Sequence, residues 1–436
     1  MALTADSVLT RAGIGPFQKK LLGVFGLVWA ADAMQVLAVG FTAAAIARTF
    51  DLTVPQALQT GTGFFLGMLI GASLFGRLAD RFGRRRVLLF TVALDAVFGL
   101  LSALAPSFWV LVIFRFMTGL AVGGTLPVDY AMMAEFLPPE RRGRWLVILE
   151  GFWAVGTVAV ALAAWWAAAR GIADPWRYIF AFTAIPAIIG LGLRFWVPES
   201  PLYLLKTGRS AEAATVMNRV LTGNGKAPLA PGESLTLPAA PRGGSIFAGP
   251  LARRTFVMLA LWFLVSLSYY GVFTWMPGKL AAGDFGFVKG YGFLVVVALA
   301  QIPGYALAAF GVEAWGRKPT LTAFLMLSAL GCLLFTVANS AIMVGGALLL
   351  MSFALLGCWG ALYAYTPELY PTHLRATGMG TAGSMARLGG LLAPSALAGI
   401  AAQSFGTAVA LFAALLALAG LLSLFIDTET RHTALD

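Results

Sequence analysis

The stretch Gly76-Arg-Leu-Ala-Asp80-Arg-Phe-Gly83-Arg-Arg-Arg86 lies between two long apolar runs. Six of its eleven residues are charged, and five of those six are arginines. A short loop with this much positive charge is expected to stay on the cytoplasmic side of a membrane. We therefore predict that the stretch joins two membrane-spanning helices. Its glycines would allow a tight backbone path, and Asp80 would hold neighbouring arginines.

A weaker copy of this stretch follows 233 residues later, where Glu313-Ala-Trp-Gly-Arg317-Lys repeats Asp80-Arg-Phe-Gly-Arg84-Arg. The same offset relates three further pairs of positions: Glu135 and Glu368, Pro138 and Pro371, and Arg142 and Arg375. A shared offset at several positions indicates a duplicated chain whose halves meet near residue 220.

The composition places the chain in a membrane. Of its 436 residues, 59% are hydrophobic and 11% are charged, whereas soluble domains carry about 25% charged residues. The net charge of +11 does not indicate a nucleic-acid partner, because the basic residues lie in short loops between apolar runs.

Twelve apolar runs are each close to the ~20 residues that a helix needs to cross the bilayer. We predict spanning helices at residues 20–47, 56–78, 87–105, 108–136, 145–169, 176–197, 254–280, 288–311, 318–338, 341–365, 378–402 and 405–426.

The distribution of positive charge orients these helices. If both termini are cytoplasmic, 23 of the 30 Lys and Arg residues lie in inner segments. Five lie in outer loops: Arg48, Arg170, Arg177, Lys279 and Lys289. This asymmetry favours cytoplasmic termini and an even number of spans. We predict a multi-pass protein of the cell membrane.

The predicted fold is an all-α integral membrane protein with twelve transmembrane helices in two pseudo-symmetric six-helix bundles. Residues 1–197 would form the first bundle. Residues 198–253 would form a cytoplasmic loop with a short helix and a flexible linker, rich in Gly, Pro and Ala from Thr222 to Pro250. Residues 254–436 would form the second bundle and a short cytoplasmic tail.

The first loop carries every fixed residue of the pattern G-x-x-x-D-R-x-G-R-R, at Gly76, Asp80, Arg81, Gly83, Arg84 and Arg85. It resembles the loop signature of the major facilitator superfamily of transporters. The resemblance covers nearly the whole chain and implies a secondary transporter that works by alternating access. It also implies a switching role for these residues and for their counterparts Glu313 and Arg317.

Further runs resemble the metabolite–proton symporter branch of that family, which includes niacin permeases and lies beside synaptic-vesicle-glycoprotein-like and organic-ion transporters. These runs are Asp32-Ala-Met-Gln35-Val, Leu126-Pro-Val128, Leu149-Glu150-Gly-Phe-Trp153-Ala, the stretch Tyr269–Pro277 and the stretch Arg387–Pro394. Gln35 and Thr125 stand where that branch often has acidic residues.

Ionisable groups inside a membrane are costly and are therefore functional candidates. Asp32 is the only charge between Lys20 and Arg48, which places it near the middle of its span. It is a candidate proton or cation site, and the alternative is a permanent ion pair. Asp32 with Arg115 resembles a charge pair of proton-coupled sugar porters, and a structural ion pair remains open here too.

Three other acidic residues lie well inside predicted spans, apart from Glu135 at the inner end of 108–136. Asp129 and Glu150 are candidates for proton coupling, although Glu150 could instead pair with inner arginines. Asp95 has no role that the sequence assigns.

Arg387 is the only charge between Arg375 and Asp427, and its planar guanidinium suits a carboxylate ligand. The alternative is an arginine that bonds to helix carbonyls. The other candidate substrate-binding residues are aromatic or amide side chains: Gln35, Trp153, Tyr269, Tyr270, Trp275, Gln301, Tyr305 and Trp359. Because intramembrane amides are scarce, a sugar would leave hydroxyls unmatched, and a compact organic ion is favoured.

The inner ends of the bundles carry a further pattern. Glu135 with Arg142, and Glu368 with Arg375, are expected to form two clamps of an inner gate.

The predicted function is proton-coupled uptake of a small organic acid, nicotinate-like, by a monomer in the lipid bilayer. Organic-cation or sugar transport, or a non-transporting sensor on the same scaffold, remain alternatives. No nucleotide-binding G-x-x-x-x-G-K-[ST] loop occurs, and no nucleophile–base set is visible. We therefore expect no enzyme activity, cofactor or metal.

Overall fold

The computed structural model describes residues 2–237, 244–282, 290–396, 400 and 404–431. Its helices are α1 Ala5–Ala12, α2 Pro16–Thr49, α3 Val54–Ala57, α4 Gln59–Phe82, α5 Arg84–Ala103, α6 Phe108–Ala134, α7 Arg142–Ala169, α8 Pro175–Arg194, α9 Pro201–Lys206, α10 Ser210–Gly223, α11 Pro250–Ala282, α12 Tyr291–Leu299, α13 Gln301–Ala314, α14 Arg317–Val337, α15 Ala341–Glu368, α16 Thr372–Ala396 and α17 Phe405–Ser423. A single 3₁₀ turn, Pro139–Arg141, precedes α7.

Within the described residues, eleven helices are long and apolar enough to cross a membrane. They coincide with the predicted spans, except that 288–311 consists of α12 followed directly by α13. The remaining predicted span, 378–402, is covered by α16 as far as Ala396, and its end lies outside the described residues. Most of the outer turn predicted at 281–287 lies outside them as well, because residues 283–289 are not among those described.

Close packing inside the first bundle depends on glycines. A Cβ atom on Gly119 would lie 1.9 Å from the carbonyl oxygen of Phe64, and one on Gly123 would lie 2.2 Å from that of Met68. On the facing helix α4, a Cβ atom on Gly67 would lie 2.2 Å from the carbonyl oxygen of Phe116. Any larger residue would therefore push α4 and α6 apart, as expected for small residues at helix interfaces in lipid.

The two halves carry equivalent ion pairs at the end where the Gly76–Arg86 stretch lies. Arg84 pairs with Glu135, and Arg317 pairs with Glu368 at 2.9 Å. These pairs are related by the 233-residue offset. The expected clamps therefore had the wrong partners. Arg84 and Arg317 begin α5 and α14, and they pair with the glutamates at the ends of the following helices, α6 and α15.

The arginines of the expected clamps bind other groups instead. Arg142 donates to Asp6 at 2.8 Å and to the carbonyl oxygen of Leu137. Arg375 donates to the carbonyl oxygen of Pro367 at 2.9 Å. Asp80 is exposed and makes no hydrogen bond or ion pair within the described part of the chain, so it does not hold neighbouring arginines there.

A second symmetric feature joins the ends of α8 and α17 to the starts of α5 and α14. Glu199 accepts from the backbone N–H of Arg85 at 3.0 Å, and Glu429 accepts from those of Arg317 and Lys318 at 2.9 Å. The next residues, Ser200 and Thr430, donate to the paired glutamates Glu135 and Glu368. The carboxylates of Glu199 and Glu429 therefore lie at the N-termini of α5 and α14, where the helix dipole favours negative charge.

Arg85 and Lys318 complete this symmetry. Arg85 donates to the carbonyl oxygens of Phe195 and Val197, and Lys318 donates to those of Leu424 and Ile426. These carbonyls lie beyond the last turns of α8 and α17 and would otherwise lack partners.

The N-terminal segment is fastened to the central loop. Strand β1, Ala2–Thr4, pairs in parallel with strand β2, Ser234–Thr236, and Arg11 pairs with Glu233 at 3.3 Å. The Asn224 side chain donates to the carbonyl oxygens of Ala12 and Gly13. Part of the expected flexible linker is therefore ordered, because the chain start supplies partners for its backbone. The division at residues 197/198 and 253/254 stays a prediction.

A buried ion pair joins α6 to α8. Arg194 donates to Asp129, and the two side chains are 2% and 0% exposed. The guanidinium also lies 5.0 Å from the ring of Phe25. Asp129 is therefore paired with Arg194, one of the 23 positive charges that the sequence assigns to the inner segments.

A substitution at Gly83 tests the backbone geometry of the Gly76–Arg86 stretch. The φ of Gly83 is +103°, and a Cβ atom there would lie 2.5 Å from Oε2 of Glu199. We expect Gly83→Ala to destabilise the protein by about 1–3 kcal/mol, because both the backbone and the Glu199 contact are strained. Thermal unfolding in detergent measures this.

Gly76 provides the matched control. It lies inside α4 and not in a turn, and a Cβ atom there meets nothing within 4 Å. The expectation that both glycines shape the turn is wrong for Gly76. Gly76→Ala should be neutral, or stabilising by up to about 1 kcal/mol. Equal losses in both variants would contradict this account.

The Asp129–Arg194 pair gives a second prediction. Arg194→Ala leaves a buried carboxylate without its partner and should cost about 3–5 kcal/mol of stability. The double variant Asp129→Asn/Arg194→Gln removes both charges and should recover much of the loss. Thermal unfolding of wild type, single and double variants measures the coupling; an additive double variant would show that the pair is not a unit.

Candidate substrate cavity

A small cavity lies between the two halves of the molecule. Both halves supply its walls, and most of the lining side chains are aromatic. The lining residues are Trp29, Phe65, Met68, Leu126, Glu150, Trp153, Tyr269, Tyr270, Tyr305, Leu356, Trp359, Tyr363, Ala386 and Arg387.

The aromatic side chains join the halves at the cavity wall. Nε1 of Trp153 on α7 donates to the Tyr269 hydroxyl on α11 at 3.0 Å, and both side chains are buried. The Tyr269 ring packs edge-on against Trp359, with 6.1 Å between the ring centroids. Phe65 on α4 packs against Tyr270 at 4.7 Å. The cavity wall therefore depends on how the two halves are placed relative to each other.

The halves make close contacts at the face opposite the Gly76–Arg86 stretch. A Cβ atom on Gly40 would lie 2.7 Å from the carbonyl oxygen of Phe273, and the Tyr291 hydroxyl donates to the carbonyl oxygen of Phe41. Toward the other face, the rings of Tyr130 and Tyr363 contact each other at 5.8 Å. These contacts to backbone carbonyl oxygens therefore lie on the side opposite the basic loop.

Arg387 projects from α16 into the cavity wall and is 9% exposed. Its Nη1 donates to the carbonyl oxygen of Gly383 at 2.9 Å, and the Tyr363 hydroxyl lies beside it. Its Nε has no hydrogen-bond partner among the described residues, and no carboxylate there forms an ion pair with it. The guanidinium therefore donates one hydrogen bond to a backbone carbonyl and keeps an N–H group that can donate to a ligand in the cavity.

Glu150 is the other charged group in the wall. It is 1% exposed, and neither carboxylate oxygen has a hydrogen-bond partner in the part of the chain that the structure describes. The alternative that it pairs with inner arginines is not found there. Tyr130, Tyr305 and Tyr363 are its polar neighbours.

Asp32 lies outside the cavity lining, although Trp29, one turn earlier on α2, forms part of it. Asp32 is fully buried, and both oxygens lack a hydrogen-bond partner among the described residues. The charged groups within electrostatic range are Asp95, Asp129, Arg194 and Arg387. The structure therefore brings Asp32 close to both the Asp129–Arg194 pair and the cavity arginine.

Arg115 does not form the expected pair with Asp32. It donates to Oε1 of Gln35 at 2.7 Å and to the Gln35 carbonyl oxygen, and it lies between the rings of Phe64 and Phe180 at 4.6 Å. The nearest opposite charge is Asp95 on α5. The guanidinium prefers the amide because Gln35, one turn after Asp32, offers two acceptors on the side facing α6.

Several predicted site residues lie away from the cavity. Gln35 is bound to Arg115, and Asp129 is bound to Arg194. Trp275 and Gln301 are buried outside the lining, and their side-chain nitrogens have no partner among the described residues. The cavity thus brings together Glu150, Arg387 and the aromatic candidates Trp153, Tyr269, Tyr270, Tyr305 and Trp359.

Sequence reasoning did not assign Trp29, Phe65 or Tyr363 to the site. Trp29 lies three residues before Asp32 on the same helix, and that spacing could have indicated it. For Phe65 no sequence signal separates it from the other apolar residues of α4. No group of three His, Cys, Asp or Glu side chains suited to a metal occurs among the residues that were described.

Comparison with known proteins supplies the family. The family model described as Major Facilitator Superfamily matches residues 23–394, with a second match at 282–435. A Bacillus subtilis relative with the provisional name niacin/nicotinamide transporter NiaP is 36% identical over 96% of this chain and 98% of its own. The niacin transporter NiaP of Acinetobacter baylyi is 36% identical over 87% of each chain.

A solved structure shares the fold. The xylose transporter XylE from E. coli, in a partially occluded inward-open conformation, superposes with a TM-score of 0.78. It is 20% identical, and the match covers 96% of this chain and 99% of that one. The predicted twelve-helix architecture is confirmed by this match. The chain is a multi-pass membrane transporter and belongs to the major facilitator superfamily.

Proposed function

We propose that the protein is a proton-coupled symporter of small aromatic carboxylates of the nicotinate type, working by alternating access. The observation that carries this proposal is Arg387, a guanidinium with unused donor capacity in an aromatic cavity between the two halves. Aromatic walls suit a flat ring, and the guanidinium suits a carboxylate. The niacin names of two relatives support the same substrate class.

Binding at this position would couple the ligand to the conformational change. The cavity walls come from α2, α4, α6 and α7 on one side and from α11, α13, α15 and α16 on the other. A ligand that contacts both sides stabilises the arrangement in which they are close. The Arg84–Glu135 and Arg317–Glu368 pairs would open and close with the inner face. Asp80, Arg81, Gly83 and Glu313 belong to the same proposed switching region.

We propose that Asp32 binds the coupled proton. Arg115 would act on Asp32 through Gln35, which lies one turn after Asp32 and accepts a hydrogen bond from Arg115. Asp32 combines full burial with carboxylate oxygens that have no hydrogen-bond partner among the described residues. Such a group is costly as an anion and is readily protonated. Asp129 is a weaker candidate because Arg194 already pairs with it.

The charge distribution supports cytoplasmic termini in the cell membrane, with the basic loops inside. The proposed functional unit is a monomer, since one chain supplies the whole cavity wall described above. Uptake of the ligand into liposomes tests the proposed transport, because a protein that only bound the ligand would not accumulate it.

Arg387 should select an anionic group. Arg387→Ala should weaken nicotinate binding about 10- to 100-fold, which corresponds to the loss of a charge-assisted contact of about 1.5–3 kcal/mol. Arg387→Lys should lose less, because it keeps the charge but not the planar fork. Competition by nicotinate and nicotinamide on purified protein measures this.

The exposed Arg209 provides a matched control for that experiment, since its side chain pairs with Glu212 on the surface, away from the cavity lining. Arg209→Ala should leave both affinities unchanged. If the wild type prefers nicotinamide, or if Arg387→Ala keeps the affinity for nicotinate, the carboxylate assignment is wrong.

Asp32 should carry or gate the coupled proton. Asp32→Asn cannot be charged or lose a proton, so it should abolish accumulation driven by a proton gradient while counterflow survives. Uptake and counterflow in proteoliposomes measure the two activities. The control is Asp51→Asn, at an exposed position whose φ of +53° asparagine tolerates. Normal proton-driven uptake by Asp32→Asn would contradict the role.

A further inference from the structure

Glu150 is a charged group at the cavity that the proposed carboxylate contact does not use. It lies on α7, one turn before Trp153, and lines the same cavity as Arg387. It is 1% exposed, with no hydrogen-bond partner for either carboxylate oxygen among the described residues. A polar side chain this deeply buried normally has a partner.

The side chains around Glu150 are mostly uncharged. Apart from Arg387 on α16, the helices that face it across the cavity contribute aromatic and aliphatic side chains, and its titratable neighbours include Tyr130, Tyr305 and Tyr363. No lysine or arginine in the described ranges forms an ion pair with it. A carboxylate in such a place must bind a proton, or a proton-bearing group of the ligand.

The cavity is therefore bipolar. Arg387 provides a positive group on α16 in the second half, and Glu150 provides an acidic group on α7 in the first half. Tyr363, which also lines the cavity, lies within electrostatic range of both groups. Aromatic rings line the space that separates the two ends.

We propose that this cavity recognises amphoteric heteroaromatic acids, with the ligand carboxylate at Arg387 and a basic ring nitrogen at Glu150. One proton would be shared between the ring nitrogen and the Glu150 carboxylate. Either atom can hold that proton. The hydrogen bond between the ring nitrogen and the carboxylate therefore forms in two cases: a zwitterionic ligand beside an ionised Glu150, or an anionic ligand beside a protonated Glu150. This inference rests on the proposed carboxylate transport and adds the second recognition group.

The arrangement also explains why such a ligand would favour closure. A ring held at both ends joins α7 of the first half to α16 of the second, across the same interface as the Trp153–Tyr269 hydrogen bond. An acid without the ring nitrogen would contact Arg387 alone and leave Glu150 buried without a partner. Selectivity then comes from the cost of that unpaired group.

The experiment compares nicotinate with benzoate, which has the same ring size and carboxylate but no nitrogen. Binding to purified protein can be followed by tryptophan fluorescence, since Trp29, Trp153 and Trp359 line the cavity. We expect the wild type to bind nicotinate at least tenfold more tightly than benzoate. This comparison needs no variant and already overturns the inference if the two acids bind equally.

Two variants then assign the preference to Glu150. Glu150→Leu should bring the nicotinate-to-benzoate ratio to about one, by weakening nicotinate while changing benzoate less than threefold. Glu150→Gln keeps the shape of the side chain and should lower the ratio at least threefold, because an amide cannot share the proton. Glu212→Gln, on the exposed surface of α10, should leave the ratio unchanged.

The outcomes separate the two proposals. If both acids bind equally to the wild type and Arg387→Ala weakens both, carboxylate recognition stands and the role of Glu150 fails. If neither acid depends on Arg387, the proposed function itself fails. A nicotinate preference that survives in both Glu150 variants would place the nitrogen elsewhere and overturn the inference.

Discussion

A charge that is removed from water must be paired, protonated or shared with a ligand, and this constraint organises the whole molecule. At the basic-loop face, Arg84 and Arg317 are paired with glutamates. Inside the first bundle, Arg194 is paired with Asp129, and Arg115 donates two hydrogen bonds to Gln35. These groups hold helices together and have little freedom to act on a substrate.

A second set of charges is buried without such partners among the described residues. Asp32 and Asp95 lie within the first bundle, and Glu150 and Arg387 line the cavity. The contrast between the two sets is physical. A paired charge lowers its energy within a single conformation, whereas an unpaired one is relieved only by a proton or a ligand, which is what coupling transport to binding requires.

The internal duplication produces two equivalent clusters of contacts, each formed by four groups. In each half a basic residue at the start of a helix pairs with a glutamate at the end of the following helix. A second glutamate accepts from the N–H groups of that helix start, and a hydroxyl beside it reaches the first glutamate. The cavity, in contrast, is asymmetric, because its acidic group comes from the first half and its guanidinium from the second. Duplication thus preserved these contacts at the basic-loop face, while the charged groups of the cavity wall differ between the halves.

The sequence by itself determined the membrane class, the spanning helices, the duplication and the chain's most unusual charges, since hydropathy and charge are local properties. It placed Glu150, Arg387, Trp153 and Tyr269 among the site candidates, and the structure brings these four to one cavity. Only the tertiary structure decided partners. From the sequence we expect Glu135 to pair with Arg142 and Asp32 with Arg115, whereas in the fold Glu135 pairs with Arg84 and Arg115 binds Gln35. Partner choice depends on helix rotation and on which side chain reaches first across a helix interface. A linear pattern contains neither quantity, and for the same reason the order of residues 224–237 against the chain start was not foreseen.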